Sequence, residues 1–367
     1  MKKSFLIIVL FLISIVAGCS GSSGDGGSSS STHPKYAWTK QMGGSGNGYG
    51  RSITRDSSGN VYLTGWFSGT VDFGADFGTS DSKTSSGNND IFVTKINANG
   101  TYAWTKQMGG SNNTRGYSIT TDTSGNVYLT GFFMDTVDFG ADFGISDTKT
   151  PLTTSGYSTI FVTKINANGT YAWTKQMGGS GASGGRATSI TTDTSGNVYL
   201  TGGFGGTVDF GADFGTSDSK TSSGDGDIFV TKINANGTYA WTKRMGGSGY
   251  DEGYSITTDS SGNVYLTGLF KGTVDFGNDF GKSETKTSSG DYDIFVTKIN
   301  ASGTYAWTKR MGGSGYDEGY SITTDSSGNV YLTGEFDGTA DFGADFGKSD
   351  TKTLLGGSDI FVTKILP

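Results

Sequence analysis

The residues best suited to chemistry in this chain are carboxylates that recur in pairs. Asp72/Asp76, Asp138/Asp142, Asp209/Asp213, Asp275/Asp279 and Asp341/Asp345 stand four residues apart in a DFG-x-DFG run. A hard cation such as Ca²⁺ takes several oxygens at about 2.3–2.6 Å, and two carboxylates with nearby carbonyls offer that chemistry. The competing reading has Phe73 and Phe77 plugging a loop into a core while the Asp side chains cap turns. A second group is Asp251, Glu252, Asp317 and Glu318, in two GYDEGY stretches. A third is the position after a recurring Thr-Gly, which reads Trp66, Phe132, Gly203, Leu269 and Glu335. Trp66 and Phe132 are candidate apolar anchors for a ligand; the competing and favoured reading is surface drift after duplication. Nucleophilic catalysis has no support, because the only histidine is His33 and the only cysteine is Cys19. No Ser-His-Asp or Cys-His set can form from them, and the expectation is a protein that is not an enzyme. A carboxylate pair is the one acid–base route left.

Three other motifs reduce to structure. Asp56-Ser-Ser-Gly-Asn60 opens like an EF-hand loop. It lacks Gly at the sixth position and Glu at the twelfth, so it reads as a hairpin turn. The Gly-Gly-Ser-Gly run at 43–46 precedes no helix, so it has no dipole for phosphate. Trp38, Trp104, Trp173, Trp241 and Trp307 could stack sugars, but their recurrence at one strand position points to packing.

The elements that position these residues come from repetition. The string YAWTK begins at Tyr36, Tyr102, Tyr171, Tyr239 and Tyr305, with spacings of 66, 69, 68 and 66. Sixty-three glycines with only three prolines among 367 residues exclude collagen, and 13% aromatic content excludes a disordered linker. Each unit carries four strand-like runs, A to D: Ser118–Thr121, Val127–Phe133, Ile160–Ile165 and Tyr171–Met177 in one copy. They are short, rich in β-branched and aromatic residues, and bounded by Gly/Asn/Ser/Asp clusters. Asp-Thr-Ser-Gly-Asn links A to B and Asn-Ala-Asn-Gly links C to D, both tight-turn sequences. Repeated four-stranded antiparallel units predict an all-β protein, a five-bladed β-propeller.

The repeats begin at strand D (36–42) and the chain ends after strand C (360–365). Pairing those two segments completes the fifth blade, closes the ring and removes an exposed edge. The A–B and C–D links then share one face. The longer D–A and B–C links share the other, which also takes both insertions, in repeats two and three. Insertions of this kind mark the functional face of repeat proteins.

The run GGSGYDEGYSITTDSSGNVYLTG, followed by GTVDFG, DIFVTK and YAWTK, resembles the bacterial SBBP β-propeller repeat over nearly all of residues 36–367. The family name implies seven blades; five units stand here, and the closure of the termini sets the expected number at five. The resemblance implies no chemistry and no catalytic residues.

The amino terminus supplies an address. Residues 1–18 have Lys2 and Lys3 followed by an apolar run from Phe5 to Val16, too short to span a bilayer comfortably. Val16-Ala17-Gly18-Cys19 resembles the lipobox of bacterial lipoproteins. The resemblance implies cleavage before Cys19, lipidation of its thiol and a membrane anchor in the cell envelope. An outer-membrane or cell-surface address is favoured over the cytoplasmic membrane. Residues 19–35 then form a Ser/Gly-rich tether and 36–367 the propeller. Cleavage removes Lys2 and Lys3 and moves the formal charge from −7 to −9, which excludes a nucleic-acid partner. The expected role is non-catalytic binding of protein or carbohydrate through the long-loop face, with no cofactor unless Ca²⁺ is bound. The alternatives are a multivalent or calcium-dependent lectin and an enzyme with an acidic site at the channel mouth.

Overall fold

The computed structural model describes residues 34–152, 156–179 and 184–367. The signal segment, Cys19, His33 and most of the tether lie outside the described residues. The chain divides into two units, Met1–Thr39 and Lys40–Pro367; the described part of the first, 34–39, contains no strand.

The second unit is built from antiparallel sheets. Strands A, B, C and D of the first blade are Gly48–Arg55, Val61–Phe67, Asp90–Ile96 and Tyr102–Gly110, adjacent in that order. The next three blades repeat this order, with strands A at Thr114–Thr121, Gly185–Thr192 and Glu252–Thr258. The A–B hairpins are shaped by their Asp and Gly. Asp56 accepts the Asn60 N–H at 2.9 Å, the Asn60 side-chain amide at 2.8 Å and the Tyr62 hydroxyl at 3.2 Å. Gly59 takes φ 86°, a left-handed value that a side chain disfavours. The Ala98 N–H, in the C–D turn, donates to Asn60 Oδ1 at 3.1 Å, so both short links do share one end of the blade.

Each B–C segment is more ordered than a loop. It holds a short hairpin, Thr70–Asp72 with Ser82–Thr84 in the first copy, and a 3₁₀ turn at Ala75–Phe77. The hairpin pairs with the end of the preceding strand D: Gly43 with Asp72, Gly109 with Asp138, Gly246 with Asp275 and Gly312 with Asp341. Strand D is thus clamped to the blade after its own.

Four apolar clusters fill the spaces between successive blades. One joins Tyr62, Val93 and Met108 to Leu129, Phe133 and Phe139 of the next blade. Fully burying one such side chain stabilises by roughly 1.5–3 kcal/mol. Inner strands are also tied by hydrogen bonds. Ile119 N–H donates to Ser52 Oγ at 3.2 Å and the Thr121 hydroxyl to Arg55 O at 3.0 Å, and the later blades repeat both.

The expected closure is not formed. The last sheet has three strands, Glu318–Thr324, Val330–Phe336 and Asp359–Ile365, and residues 36–42 lie in none. Ile360 and Val362 are 87% and 78% exposed on the last strand, and Ile53 of the first inner strand is 51% exposed.

Candidate functional site

Five β-bulges create the rim. In every blade the A–B register shifts by one residue: between Gly50 and Ser52, Gly116 and Ser118, Ala187 and Ser189, Gly253 and Ser255, and Gly319 and Ser321. The extra residues are Arg51, Tyr117, Thr188, Tyr254 and Tyr320. A bulge re-aims a side chain out of the ladder. The Thr-Gly glycine of strand B is required beside it: a Cβ on Gly202 would sit 2.0 Å from the Arg186 carbonyl oxygen, and one on Gly131 1.9 Å from that of Arg115.

Opposite the variable position after that glycine stand strand-A residues that vary just as much. The pairs are Tyr49 with Trp66, Arg115 with Phe132, Arg186 with Gly203, Glu252 with Leu269, and Glu318 with Glu335. Repeats one to three carry cations and aromatics. Trp66 is nearly buried, stacked on Tyr49 at 5.3 Å, with the guanidinium of Arg51 at 5.3 Å and that of Arg115 at 4.9 Å from its ring. Tyr117 packs against both Trp66 and Phe132.

Repeats four and five carry acids and tyrosines. Glu252 is fully buried and held at both oxygens: Arg186 Nε donates at 2.5 Å and Nη2 at 2.6 Å, while the Tyr250 hydroxyl donates at 2.5 Å. Glu318 accepts from the hydroxyls of Tyr254, at 3.2 Å, and Tyr320. Leu269 is buried in the packing.

Asp251 and Asp317 are buried and turned onto backbone. Asp251 accepts Gly247 N–H at 2.9 Å and Lys271 N–H at 3.0 Å; Asp317 accepts Gly313 N–H at 2.7 Å and Asp337 N–H at 3.1 Å. Burial pushes Asp251 up to about 7 and Asp317 to about 6.

The ten carboxylates of the DFG pairs go to two different places. The first of each pair caps its own turn: Asp72 accepts the N–H of Gly74, Ala75 and Asp81 and the Ser80 hydroxyl. Those donors, Asp81 first, hold Asp72 below the ordinary carboxylate range, and the same set lowers Asp341 to about 2. Asp138, Asp209 and Asp275 repeat three of these contacts, to the Gly N–H, the Ser hydroxyl and the later backbone N–H. The second of each pair reaches the preceding strand D, as Asp76 does to Gln41 N–H. Asp142, Asp213, Asp279 and Asp345 also take a lysine from the preceding hairpin, with Lys83 Nζ 2.9 Å from Asp142. Among the described residues no three His, Cys, Asp or Glu side chains gather as a metal site. The recurring tryptophans pack as expected, Trp104 against Tyr62 with ring centroids 6.3 Å apart; Trp38 is the exception and is half exposed.

An open cavity of about 350 Å³ lies where repeats two, three and four meet. Its walls include Arg115, Tyr117, Phe132, Arg186, Tyr250 and Glu252. Gly203, on its wall, stands where Trp66 and Phe132 stand in the repeats before it. Even a Cβ at Gly203 would lie 3.2 Å from Glu252 Cγ. Gly156 to Ser158 and Gly184 to Gly185, from the two lengthened loops, border the cavity. Phe132 and Glu252 were legible in the sequence as site candidates. Arg115, Arg186 and Tyr117 were not, although the variation at 49, 115, 186, 252 and 318 is as visible as that after Thr-Gly.

These features define a β-propeller repeat protein. Five matches to the SBBP β-propeller repeat cover residues 37–66, 103–131, 172–202, 240–269 and 306–341. The chain is 26% identical over 271 residues to an uncharacterized WD repeat-containing protein of Acanthamoeba polyphaga mimivirus, covering 66% of this chain and 19% of that one. It is 28% identical over 194 residues to the regulatory protein FlaEY of Caulobacter vibrioides, covering 50% and 20% respectively. It therefore spans about a fifth of the length of these relatives. A crystal structure of a protein of unknown function from Bacteroides caccae overlaps 71% of this chain and 81% of that one, at 10% identity and a TM-score of 0.25.

Proposed function

We propose that this chain is an exported, lipid-anchored binding module. It acts without catalysis and takes a protein or glycan ligand at the long-loop face. The observation that carries the reading is the cavity beside Gly203, bordered by both lengthened loops and walled by aromatic and charged side chains. Pockets of this size with a few converging polar groups are the usual form of a ligand site. Cys19 is the lipid anchor. A binding screen of the purified full chain against glycans and envelope proteins, with and without Ca²⁺, tests the reading. Gly203→Trp, which fills the cavity as Trp66 fills the same position in repeat one, then abolishes the hits. Hits indifferent to that substitution would sink the site.

The reading includes closure of the ring by residues 36–42 along the free edge of Asp359–Ile365. Those residues read YAWTKQM, the sequence that forms strand D in blades one and two. Lys40 and Gln41 already contact Asp76 as Lys106 and Gln107 contact Asp142. Strand C and D threonines face each other in complete blades, Thr94 and Thr105 at 2.8 Å. A Cys19→Ser chain carrying Thr39→Cys and Thr363→Cys should therefore oxidise to a cross-linked monomer. A cross-linked dimer would assign the edge to a second copy instead.

A further inference from the structure

The charges around the cavity are not evenly matched. Arg186 and Glu252 satisfy each other, and Tyr250 takes up more of the carboxylate, so Glu252 is fully enclosed while the Arg186 side chain stays 44% exposed. Arg115 has no such partner: among the described residues no carboxylate lies within ion-pair distance of it, and its buried Nε has no acceptor. Its charge rests against the rings of Trp66 at 4.9 Å and Phe132 at 5.9 Å. Cation–π contacts of this kind hold the charge but leave the guanidinium's hydrogen-bonding capacity unfilled. Asp225, the other acid on the wall, is exposed to solvent.

We infer that the cavity takes an acidic sugar, a pyranose bearing a single carboxylate, with the carboxylate on Arg115 and the ring against Phe132 and Tyr117. This rests on the binding-module reading and names the ligand class of the same site. Three features favour it. A guanidinium on an aromatic shelf presents planar donors to a carboxylate, the strong charge-assisted arrangement. The neighbouring rings offer flat apolar surface for the face of a sugar, which an acidic peptide side chain would leave uncovered. The volume suits one or two sugar rings rather than a folded segment. The excess of acid in the chain, with a formal charge of −7, opposes anions at long range. Selection of an anion must then come from local contacts.

Calorimetric titration of the full chain with sodium D-galacturonate, D-galactose and N-acetyl-aspartate amide tests the inference. Galacturonate should bind about tenfold more tightly than galactose, the order of one charge-assisted pair, and more tightly than the aspartate derivative. Arg115→Gln should erase the preference for galacturonate over galactose, with a cooperative melting transition retained. Equal binding of the two sugars, no binding of either at millimolar concentration, or a preference that survives Arg115→Gln would overturn it. Binding of the aspartate derivative as tightly as galacturonate would overturn the sugar assignment. Failure here together with cavity-dependent hits in the wider screen would leave the binding module standing with a different ligand. Failure of both would remove the site.

Discussion

The rim of repeats one to three and the rim of repeats four and five share one backbone and differ in nearly every charge they carry. Both carry the same bulge, the same close-packed Thr-Gly glycine and the same ladder between inner strands. Over that frame the first half places Arg51, Arg115 and Arg186 among Trp66, Tyr117 and Phe132. The second half places Glu252, Glu318 and Glu335 among Tyr254 and Tyr320, whose rings stack at 6.0 Å. The boundary is the Arg186–Glu252 pair, and the cavity sits on it. The frame is fixed by clashes and buried hydrogen bonds, whereas the rim residues hang from it and can change freely. Duplicated repeats can therefore diverge into a site at little cost to the fold.

The largest expected effect removes the difference by breaking the shared frame. Gly202→Val drives a side chain into the Arg186 carbonyl, 2.0 Å from the new Cβ. It should cost about 3 kcal/mol or more, read as a fall in the denaturant midpoint. If stability is unchanged, the glycine is not what holds the bulge.

Cutting the boundary itself comes next. Glu252→Gln leaves Arg186 without its ion pair. Breaking a fully buried pair costs about 3–5 kcal/mol, but Arg186 is partly in water, so about 1–2 kcal/mol is expected. The same change in Glu335, which lies at the acidic end, should be nearly silent in urea melts.

Burial also raises Asp90 and Asp227 in the first half, but pH acts most strongly on the second. Asp251 and Asp317, both in the acidic half, have folded values of about 7 and 6, raised above the unfolded value of about 3.9. The folded protein therefore holds more protons than the unfolded chain between those limits, and stability falls as pH rises through 4 to 7. The melting temperature should be higher at pH 5 than at pH 8, and Asp251→Asn should flatten the slope. The turn-capping Asp72 and Asp341 act oppositely, and only below about pH 4, because their folded values are lowered. A melting temperature that rises between pH 5 and 8 would contradict the assignment.

The smallest effect on stability should come from Arg115→Gln, about 0.5–1 kcal/mol, since Arg115 forms no ion pair among the described residues and gives up only its contacts with the rings of Trp66 and Phe132. A large loss would mean that Arg115 supports the aromatic cluster rather than waiting for a ligand.

Much of this was legible in the residues themselves. Five YAWTK strings, the Asp-x-x-Gly-Asn and Asn-Ala-Asn-Gly turns and the alternating β-branched runs fixed the strands, their antiparallel order and the two faces. Local turn chemistry and side-chain period decide such features, and both are written in short stretches of chain. The first aspartates of the DFG pairs and the recurring tryptophans likewise took the packing roles that their constancy implied, Trp38 excepted. The tertiary structure alone decided where the variable residues meet. Arg115, Gly203 and Glu252 belong to three repeats and lie far apart in the chain, yet they line one cavity because the packing of successive blades brings their strands together there. It also decided that Asp251 and Asp317 turn inward onto backbone N–H groups. Whether the ends join is likewise a tertiary matter, because the angle between blades is set by packing and no run of residues encodes it.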